Sequence, residues 1–468
     1  MAGPLSPLMF QMEGEDSPAA RSNVVPPSVA SAGGAAEMVE LYWEAYLRDV
    51  PFIDYESNPL IAQAVTDMNR LFDYAGPRPV TLRNLFRYPF IGCTDGPYIS
   101  QLLFQTHSLD GANYVPMIHS RQQVADPVTG NVLPATTSPG VDYMTNLSEY
   151  VFVENGNGAL NGPNDPRNAN IDPVARFIRS VRDLGSLAAS DSIYSLYFRA
   201  AIFLQNIGIP SDPNIPYNLD TTKRISAFNN FSSAWLFSLI GRVHETEAAA
   251  FYQKWYVHRK VRPEAHANLV DGILMNRFTL HPSMHPDLLN SSVLPLIFER
   301  NRQLNVKRGL GTTGSFFCPQ ELNGGSPSHP SSPAGHAFTA GACVTVIKAF
   351  FDLGTPGNLR PWPTTAPRPF VPFQPPSIAS QDGLSLIPTG ETDLTVLGEL
   401  NKLAANISAG RDFSGIHWRV SDNMLGMLLG EDVAIYLLNE TGALYPEEFE
   451  GFTLTKFDGT TVLVGGNS

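Results

Sequence analysis

GRDFSGIHWRVSD, residues 410–422, joins a polar loop to a long apolar segment in which hydrophobic residues recur three and four apart. That periodicity is typical of a helix with one buried face, and we expect the helix to run from about Gly415 to Asn439. Ser414 is the expected N-cap, so Arg411 would lie in the approach to the helix and His417 in its first turn. Taken alone, the segment is equally compatible with a buried structural histidine and a surface arginine.

HPSSPAGHAFTAGACVTVIKAFF, residues 329–351, lies upstream and predicts another apolar helix from about His336 to Phe351. Its Pro-Ala-Gly-His start places unpaired backbone N–H groups and the positive end of the helix dipole near Gly335, which favours an anion. Small residues there allow a ligand to approach closely. An ordinary loop-to-helix junction with a capping histidine would carry the same pattern, so both interpretations stay open.

KWYVHRKVRP, residues 254–263, is a basic run inside a chain whose formal net charge is -13. We expect a helix from about Glu245 to Val261. Proline disfavours helical geometry at the residue before it, so this helix should stop near Arg262. Lys254 lies about two turns earlier, within roughly 80° of the same face. A solvated basic face is the alternative interpretation.

The rest of the chain predicts a mainly α-helical bundle. Apolar residues recur at helical spacing over the ranges 39–50, 61–75, 172–189, 193–208, 287–304 and 393–407. Asp172 followed by Pro173 predicts a capped helix start. Prolines make residues 354–377 an extended surface connection, and residues 452–464 alternate around a two-residue turn as a small hairpin. Strands and helices do not alternate regularly, so we expect helical bundles with long loops and minor β-hairpins.

Composition places the chain among globular proteins, because 468 residues with 43% hydrophobic content can bury a large core. Residues 1–35 are rich in Gly, Pro, Ser and Ala and predict a flexible arm before a single large helical domain over residues 36–468. The acidic pI near 5.2 argues against nucleic acid or an anionic membrane as a partner. No secretory signal and no long apolar stretch is visible, so we expect a soluble chain. Three widely spaced cysteines are expected to be buried thiols: Cys93, Cys318 and Cys343.

Together the three motif segments supply two arginines, a lysine, a glycine amide and two histidines, which suit a tetrahedral oxyanion. Their order and spacing are Lys, seven residues, Arg-Pro; then Pro-x-Gly-His; then Arg, five residues, His. This pattern resembles the vanadium-dependent haloperoxidases, which share their site with the type 2 phosphatidic acid phosphatase superfamily. The flanking residues resemble most the bromoperoxidases of red algae and cyanobacteria, and the motifs span residues 254–422.

The resemblance implies a haloperoxidase fold with two four-helix bundles and a vanadate cofactor in a site built from residues 254–422. His417 would be the metal ligand, and His336 would act as acid/base when hydrogen peroxide enters. Lys254 would polarise the peroxide. Bromide or iodide would be oxidised to a hypohalous species that halogenates small organic nucleophiles. The groups that would hold the oxyanion are Lys254, Arg262, Gly335, Arg411 and His417. The related algal enzymes also imply a homo-oligomer.

Three positions refine the resemblance. His329 stands where this bromoperoxidase branch also has histidine and the fungal chloroperoxidases have phenylalanine, which favours bromide and iodide over chloride. Ala334 replaces the family's serine, and the loss of that hydroxyl should weaken vanadate retention without destroying the site. The aspartate usually found four residues after the ligand histidine is Ser421 here, so the role of the adjacent Asp422 is left open.

Three alternatives stand beside this interpretation. An acid phosphatase of the same superfamily would use His417 as the nucleophile, forming a phosphohistidine, and His336 as the proton donor. A zinc hydrolase would draw on His281 and His285, although prolines interrupt any helix there and the H-E-x-x-H pattern is missing. The third is a non-catalytic oligomer with a decayed site, if Ala334 marks a loss of function.

Overall fold

The fold is mainly helical. The structure, a computed structural model, describes residues 4–8, 17–21, 23–109, 111–121, 140–157, 171–219, 224–281 and 283–467. These ranges contain thirteen α-helices: α1 Ala32–Leu47, α2 Pro59–Arg70, α3 Leu147–Phe152, α4 Val181–Ala188, α5 Ser195–Ile207, α6 Ser233–Glu245, α7 Ala248–Tyr252, α8 Pro263–Leu274, α9 Pro286–Leu289, α10 Val293–Lys307, α11 Gly335–Phe350, α12 Val396–Phe413 and α13 Leu425–Gly442.

The β-strands of the described ranges form short hairpins. Four two-stranded antiparallel sheets join consecutive strands: β1 His107–Leu109 with β2 Ala112–Tyr114, β3 Gly354–Thr355 with β4 Asn358–Leu359, β5 Ser377–Ala379 with β6 Leu386–Pro388, and β7 Phe452–Thr455 with β8 Thr461–Val464. The last is the hairpin predicted over 452–464, with Phe452 paired to Val464. The expectation of a mainly helical protein with minor hairpins is confirmed.

Helix α11 lies at the centre of one group of helices. Its residues 337–350 are all buried, and it packs on α13, α12 and α6. Glycines allow a close crossing with α13. A Cβ at Gly341 would lie 2.1 Å from the carbonyl oxygen of Met427, and a Cβ at Gly430 would lie 2.1 Å from that of Phe338. This crossing holds the N-terminus of α11 beside the segment that precedes α13.

Helix α1 organises a second group with α2, α9 and α10, and α12 contacts helices of both groups. α1 begins at Ala32, where the side chain of Ser31 accepts a hydrogen bond from the amide of Gly34 at 3.1 Å. The helix therefore starts inside the stretch 1–35. A described part of that stretch contacts the same chain, because the Tyr256 hydroxyl donates to the carbonyl oxygen of Pro4 at 2.6 Å.

Several local expectations are confirmed. Helices α11 and α5 lie within two residues of the predicted ranges 336–351 and 193–208. The three cysteines are free and buried.

Among the helices of the described ranges, none combines the length and the apolar content that a membrane crossing requires.

The helix predicted over 172–189 is wrong in its first half. α4 begins only at Val181, and the Ser180 side chain, not Asp172, caps it. Asp172 instead accepts a hydrogen bond from Arg176 Nε at 2.6 Å, in a segment without helical structure. An Asp-Pro pair satisfies a turn as readily as a helix start, so the sequence alone does not separate the two.

The single helix predicted from Glu245 to Val261 is also wrong. α6 ends at Glu245, α7 is short, and a π-helical turn covers Gln253–His258. Arg259 ends this turn with a left-handed φ of 47°. Arg262 is extended, as expected before proline, but it directly precedes α8. A π-helical turn keeps apolar residues near helical spacing, which explains why periodicity alone predicts one continuous helix.

The segment 410–422 differs from its prediction in the same way. Arg411 lies in the last turn of α12, not in a loop. Ser414 follows that helix and its hydroxyl bonds back to it, so it does not cap the next helix. His417 lies in the loop between helices, and a π-helical turn at Arg419–Met424 leads into α13, which begins well after the predicted start.

Candidate active site

His417 is buried in the loop between α12 and the π-helical turn 419–424. Its Nδ1 lies 2.7 Å from Oδ2 of Asp422. A carboxylate at that distance favours the tautomer with the proton on Nδ1, which leaves the Nε2 lone pair available. Nε2 lies 3.1 Å from Nη1 of Arg262. The same Nη1 also lies 3.4 Å from Nδ1, so the imidazole is held by a carboxylate at Nδ1 and lies beside a cation that is close to both ring nitrogens.

Arg262 links all three motif segments. Its guanidinium donates to the carbonyl oxygens of His329 at 2.9 Å and Ile416 at 2.8 Å, and Nη2 lies 3.1 Å from His329 Nδ1. The extended backbone before Pro263 directs this side chain away from the helix that follows.

Lys254 lies at the start of the π-helical turn after α7 and is 1% exposed. Its ammonium stands 5.0 Å from the centroid of the Phe251 ring. Burial, and then the positive charge of Arg262, lower the pKa of Lys254 to about 7. Buried Lys348 and Lys402 each have a carboxylate within 3.3 Å, whereas no carboxylate of the described ranges lies at ion-pair distance from Lys254.

Arg411 points from the last turn of α12 towards the same group. Its Nη1 donates to the carbonyl oxygen of Ala188 at 3.2 Å, while its buried Nε has no partner in the described ranges. Burial, and then Arg262, lower the pKa of Arg411 to about 10. Burial followed by Arg262, Lys254 and Arg411 also lowers the pKa of His417 well below its ordinary value. The three cations therefore act on one imidazole.

Gly335 and His336 open α11. His336 Nε2 lies 3.3 Å from Oδ1 of Asp191, a carboxylate that is itself buried. Burial, and then Arg411, lower the pKa of His336, and Asp191 opposes that shift. The N-cap residue Ala334 has no side-chain oxygen, so no side chain caps the first amides of the helix. This helix end can therefore donate to an anion.

The contacts of Asp422 answer the question that the sequence leaves open. Asp422 lies five residues after His417, inside the π-helical turn, and its Oδ2 accepts hydrogen bonds at the start of that turn: it lies 2.7 Å from His417 Nδ1 and 3.2 Å from the amide of Trp418. The amide of Asn423 bonds to the carbonyl oxygen of Trp418 at 3.1 Å, which is the five-residue pattern of such a turn. Burial raises the pKa of Asp422 to about 6. Ser421, at the family's usual aspartate position, makes no contact with His417 among the described hydrogen bonds.

Two acidic residues near this group carry no sequence signal. Asp191 lies in the loop before α5, far along the chain from its partner His336. Glu247 lies at the start of α7, where a Cβ added to Gly335 would be 2.0 Å from its Oε1. Neither belongs to the motif segments, and only three-dimensional packing relates them to the site.

A cavity of about 800 Å³ gives access to the cationic group. Its lining includes Arg262, His329 and Arg411 together with Trp255 and Glu154. A cavity of this size accommodates a small organic molecule.

The arrangement fits a tetrahedral oxyanion with a metal at its centre. Lys254, Arg262 and Arg411 have no carboxylate at ion-pair distance in the described ranges, and a bound anion would relieve their mutual repulsion. The zinc alternative lacks such support, because His285 accepts a hydrogen bond from the Asp287 amide at the start of α9. No group of three or more His, Cys, Asp or Glu able to hold a metal occurs in the described ranges.

Three similar proteins share the name vanadium-dependent bromoperoxidase. The one from Ascophyllum nodosum is 30% identical over 467 residues, which cover 96% of this chain and 76% of that protein. Those from Corallina pilulifera and Corallina officinalis are each 33% identical and cover 98% of this chain and 78% of their own length. No family model matches the chain.

A solved structure is also similar: the homohexameric second vanadate-dependent bromoperoxidase of Ascophyllum nodosum. It superposes with a TM-score of 0.80 at 27% sequence identity, covering 98% of this chain and 75% of that chain. The similarity therefore extends along nearly the whole chain and is not confined to the motif segments.

Proposed function

The chain belongs to the vanadium-dependent bromoperoxidase family, and from this we propose that it holds vanadate at His417 and oxidises bromide or iodide with hydrogen peroxide. The hypohalous product would halogenate small organic nucleophiles. The observation that carries the proposal is the position of the Arg262 guanidinium 3.1 Å from Nε2 of the buried His417, where the positive charges of Lys254 and Arg411 also act on the imidazole. An oxyanion with a metal centre satisfies both the cations and the imidazole lone pair.

When bound, vanadate supplies a Lewis-acidic centre that activates hydrogen peroxide without a change in oxidation state. His417 would hold it through Nε2, while Asp422 keeps the proton on Nδ1. Spreading the negative charge over several fixed donors stabilises the anion more than any one of them would. These donors would be Lys254, Arg262, Arg411 and the Gly335 amide.

His336 would take up and release the proton that hydrogen peroxide exchanges on entering. Burial and Arg411 lower the pKa of His336, which keeps the imidazole neutral and able to accept a proton. Asp191, 3.3 Å from Nε2, orients the ring and stabilises its charged form. Lys254 would polarise the peroxide from a buried position.

The preference for bromide and iodide over chloride rests on His329, the histidine found in the bromoperoxidase branch. Burial, and then Lys254, lower the pKa of His329 to about 2, so the ring is neutral where it lines the cavity. We also propose a homo-oligomer, because the similar solved structure is homohexameric. Exposed Phe72, Leu280 and Phe370 are apolar side chains that a subunit contact could cover.

Metal analysis combined with two assays tests the function. After incubation with orthovanadate and removal of the excess, the protein should retain stoichiometric vanadium and brominate a phenolic dye only when bromide and hydrogen peroxide are both present. Release of phosphate from an aryl phosphate without bromination would support the phosphatase. Neither activity would support the non-catalytic oligomer.

A further inference from the structure

Glu247 lies against the first residue of α11 and within electrostatic influence of Lys254, and the proposed function gives it no role. It lies at the start of α7, and its side chain is 13% exposed. A Cβ added to Gly335 would lie 2.0 Å from Oε1, so the carboxylate rests directly against the first residue of α11. Its other oxygen, Oε2, lies 3.4 Å from Nδ1 of His244.

Two positive groups near Glu247 favour its negative charge, whereas burial opposes that charge. The uncapped N-terminus of α11 is the positive end of a helix dipole. Lys254 and Glu247 are close enough for each charge to affect the pKa of the other. Glu247 raises the pKa of Lys254, against the larger lowering caused by burial. Lys254 lowers the pKa of Glu247, but burial has the larger effect and raises that pKa to about 7. Asp422, the other carboxylate that acts on Lys254, is engaged by His417 at 2.7 Å.

We propose that Glu247 is an internal counter-charge to Lys254 that opposes the oxyanion and thereby sets how tightly the site binds it. The carboxylate and the oxyanion are attracted by the same two groups, the Lys254 ammonium and the start of α11, and they repel each other. The inference rests on the proposed function, since it assumes that the oxyanion binds beside Lys254 and Gly335. Glu247 is then an affinity-setting residue and has no part in the chemical step.

Replacing Glu247 by glutamine separates charge from shape. Glu247→Gln keeps the size of the side chain and removes its negative charge. The vanadium-free variant is titrated by calorimetry with orthovanadate and, separately, with inorganic phosphate. Both dissociation constants should be roughly tenfold lower than those of the unmodified chain, because removing a nearby negative charge increases the affinity of an anion site. Phosphate provides a binding measurement that requires no turnover.

Two control variants isolate the effect. Glu245→Gln makes the same chemical change two residues earlier, at an exposed position, and should leave both dissociation constants unchanged. Glu247→Asp keeps the charge but alters the packing, so it should bind neither anion more tightly than the unmodified chain. Circular dichroism and a melting curve establish that each variant is folded.

Unchanged or weaker binding of both anions by folded Glu247→Gln would overturn the inference, as would equal tightening in Glu247→Gln and Glu247→Asp. If the unmodified chain binds neither anion, the proposed function fails and this inference fails with it. If the unmodified chain binds vanadate and brominates, but Glu247→Gln binds no more tightly, only the counter-charge role is lost.

Discussion

His417 is buried and His336 is half-buried, and both imidazoles have lowered pKa values, but their partners predict different consequences of replacement. His417→Ala removes the only group proposed to coordinate the metal, so we expect vanadium content to fall to background. His336→Ala leaves the cationic donors in place, so it should retain most of the vanadium and lose about 10²- to 10⁴-fold in bromination rate. Elemental analysis of the dialysed proteins and a dye bromination assay measure the two effects.

His285→Ala serves as the matched control, because that histidine is engaged at the start of α9 and not with the cationic group. It should leave vanadium content and bromination unchanged. Equal vanadium content in His417→Ala and the unmodified chain would refute the assignment of the ligand.

Ala334 is fully buried at the N-cap of α11, where the family carries serine. Ala334→Ser adds a hydroxyl that could donate to the oxyanion, worth about 0.5 to 1.5 kcal/mol net, so we expect a several-fold tighter dissociation constant for vanadate. The same hydroxyl could cap the helix and stabilise the fold by about 1 kcal/mol. Vanadate titration and a melting curve of the vanadium-free protein separate these two effects. A higher melting temperature with unchanged affinity for vanadate would show that the hydroxyl only caps the helix.

The sequence could predict which cationic residues meet, but not all of their acidic partners. Lys254, Arg262 and Arg411 are recognisable because their order and spacing form an extended pattern. Asp191 and Glu247 are single acidic residues in otherwise ordinary segments, and they reach the site only because α5 and α7 pack beside α11. Contacts of that kind depend on tertiary packing, which periodicity and local propensity do not encode.

The π-helical turn 419–424 determines which carboxylate reaches His417. We expect Asp422→Asn to weaken vanadate binding about 10- to 100-fold, the usual cost of losing the partner of a metal-binding histidine. Ser421→Ala, in the same turn, should have little effect on affinity. Dissociation constants for vanadate, measured by calorimetry on both variants, provide the comparison.

An exchange of the two side chains tests the geometry of the turn directly. In the double variant Ser421→Asp/Asp422→Ser the carboxylate stands four residues after His417, yet position 421 faces Lys260 and Glu37. We therefore expect the double variant to bind vanadate as weakly as Asp422→Asn. Recovery of affinity would show that the five-residue spacing is not required.

Periodicity predicted where most helices lie but not where they change form. The helix over 336–351 is regular, apolar throughout and accurately predicted. The predicted helices around 253–258 and 419–424 contain π-helical turns, and both turns carry site residues. A π-helical turn is locally less stable than an α-helical turn and is maintained by tertiary contacts, so it cannot be predicted from a local sequence pattern.

Glu44 of α1 lies in the core where α1 meets α12, and neither of its carboxylate oxygens has a hydrogen-bond partner in the described ranges. Burial, and then the neighbouring Glu40, raise the pKa of Glu44 well above its ordinary value of 4.5. Burial likewise raises the pKa of Asp412 on α12 well above its ordinary value. The folded chain therefore keeps two protons that the unfolded chain releases, so the stability that these two carboxyls contribute should be lost as pH rises above about 4.5.

Glu44→Gln removes one of these ionisable groups while preserving its size. It should stabilise the folded chain at pH 8 by about 1 to 3 kcal/mol. It should have little effect at pH 4.5, because the carboxyl is protonated there in the folded state. Glu448→Gln, at an exposed position, should change stability at neither pH. Denaturant unfolding at both pH values, with protein concentration fixed because any assembly would add to the apparent stability, measures the difference. An equal gain at both pH values would mean that Glu44 destabilises the core through packing. A loss at pH 8 would mean that its charge is balanced in the fold, most directly by Arg419, whose positive charge opposes the raised pKa.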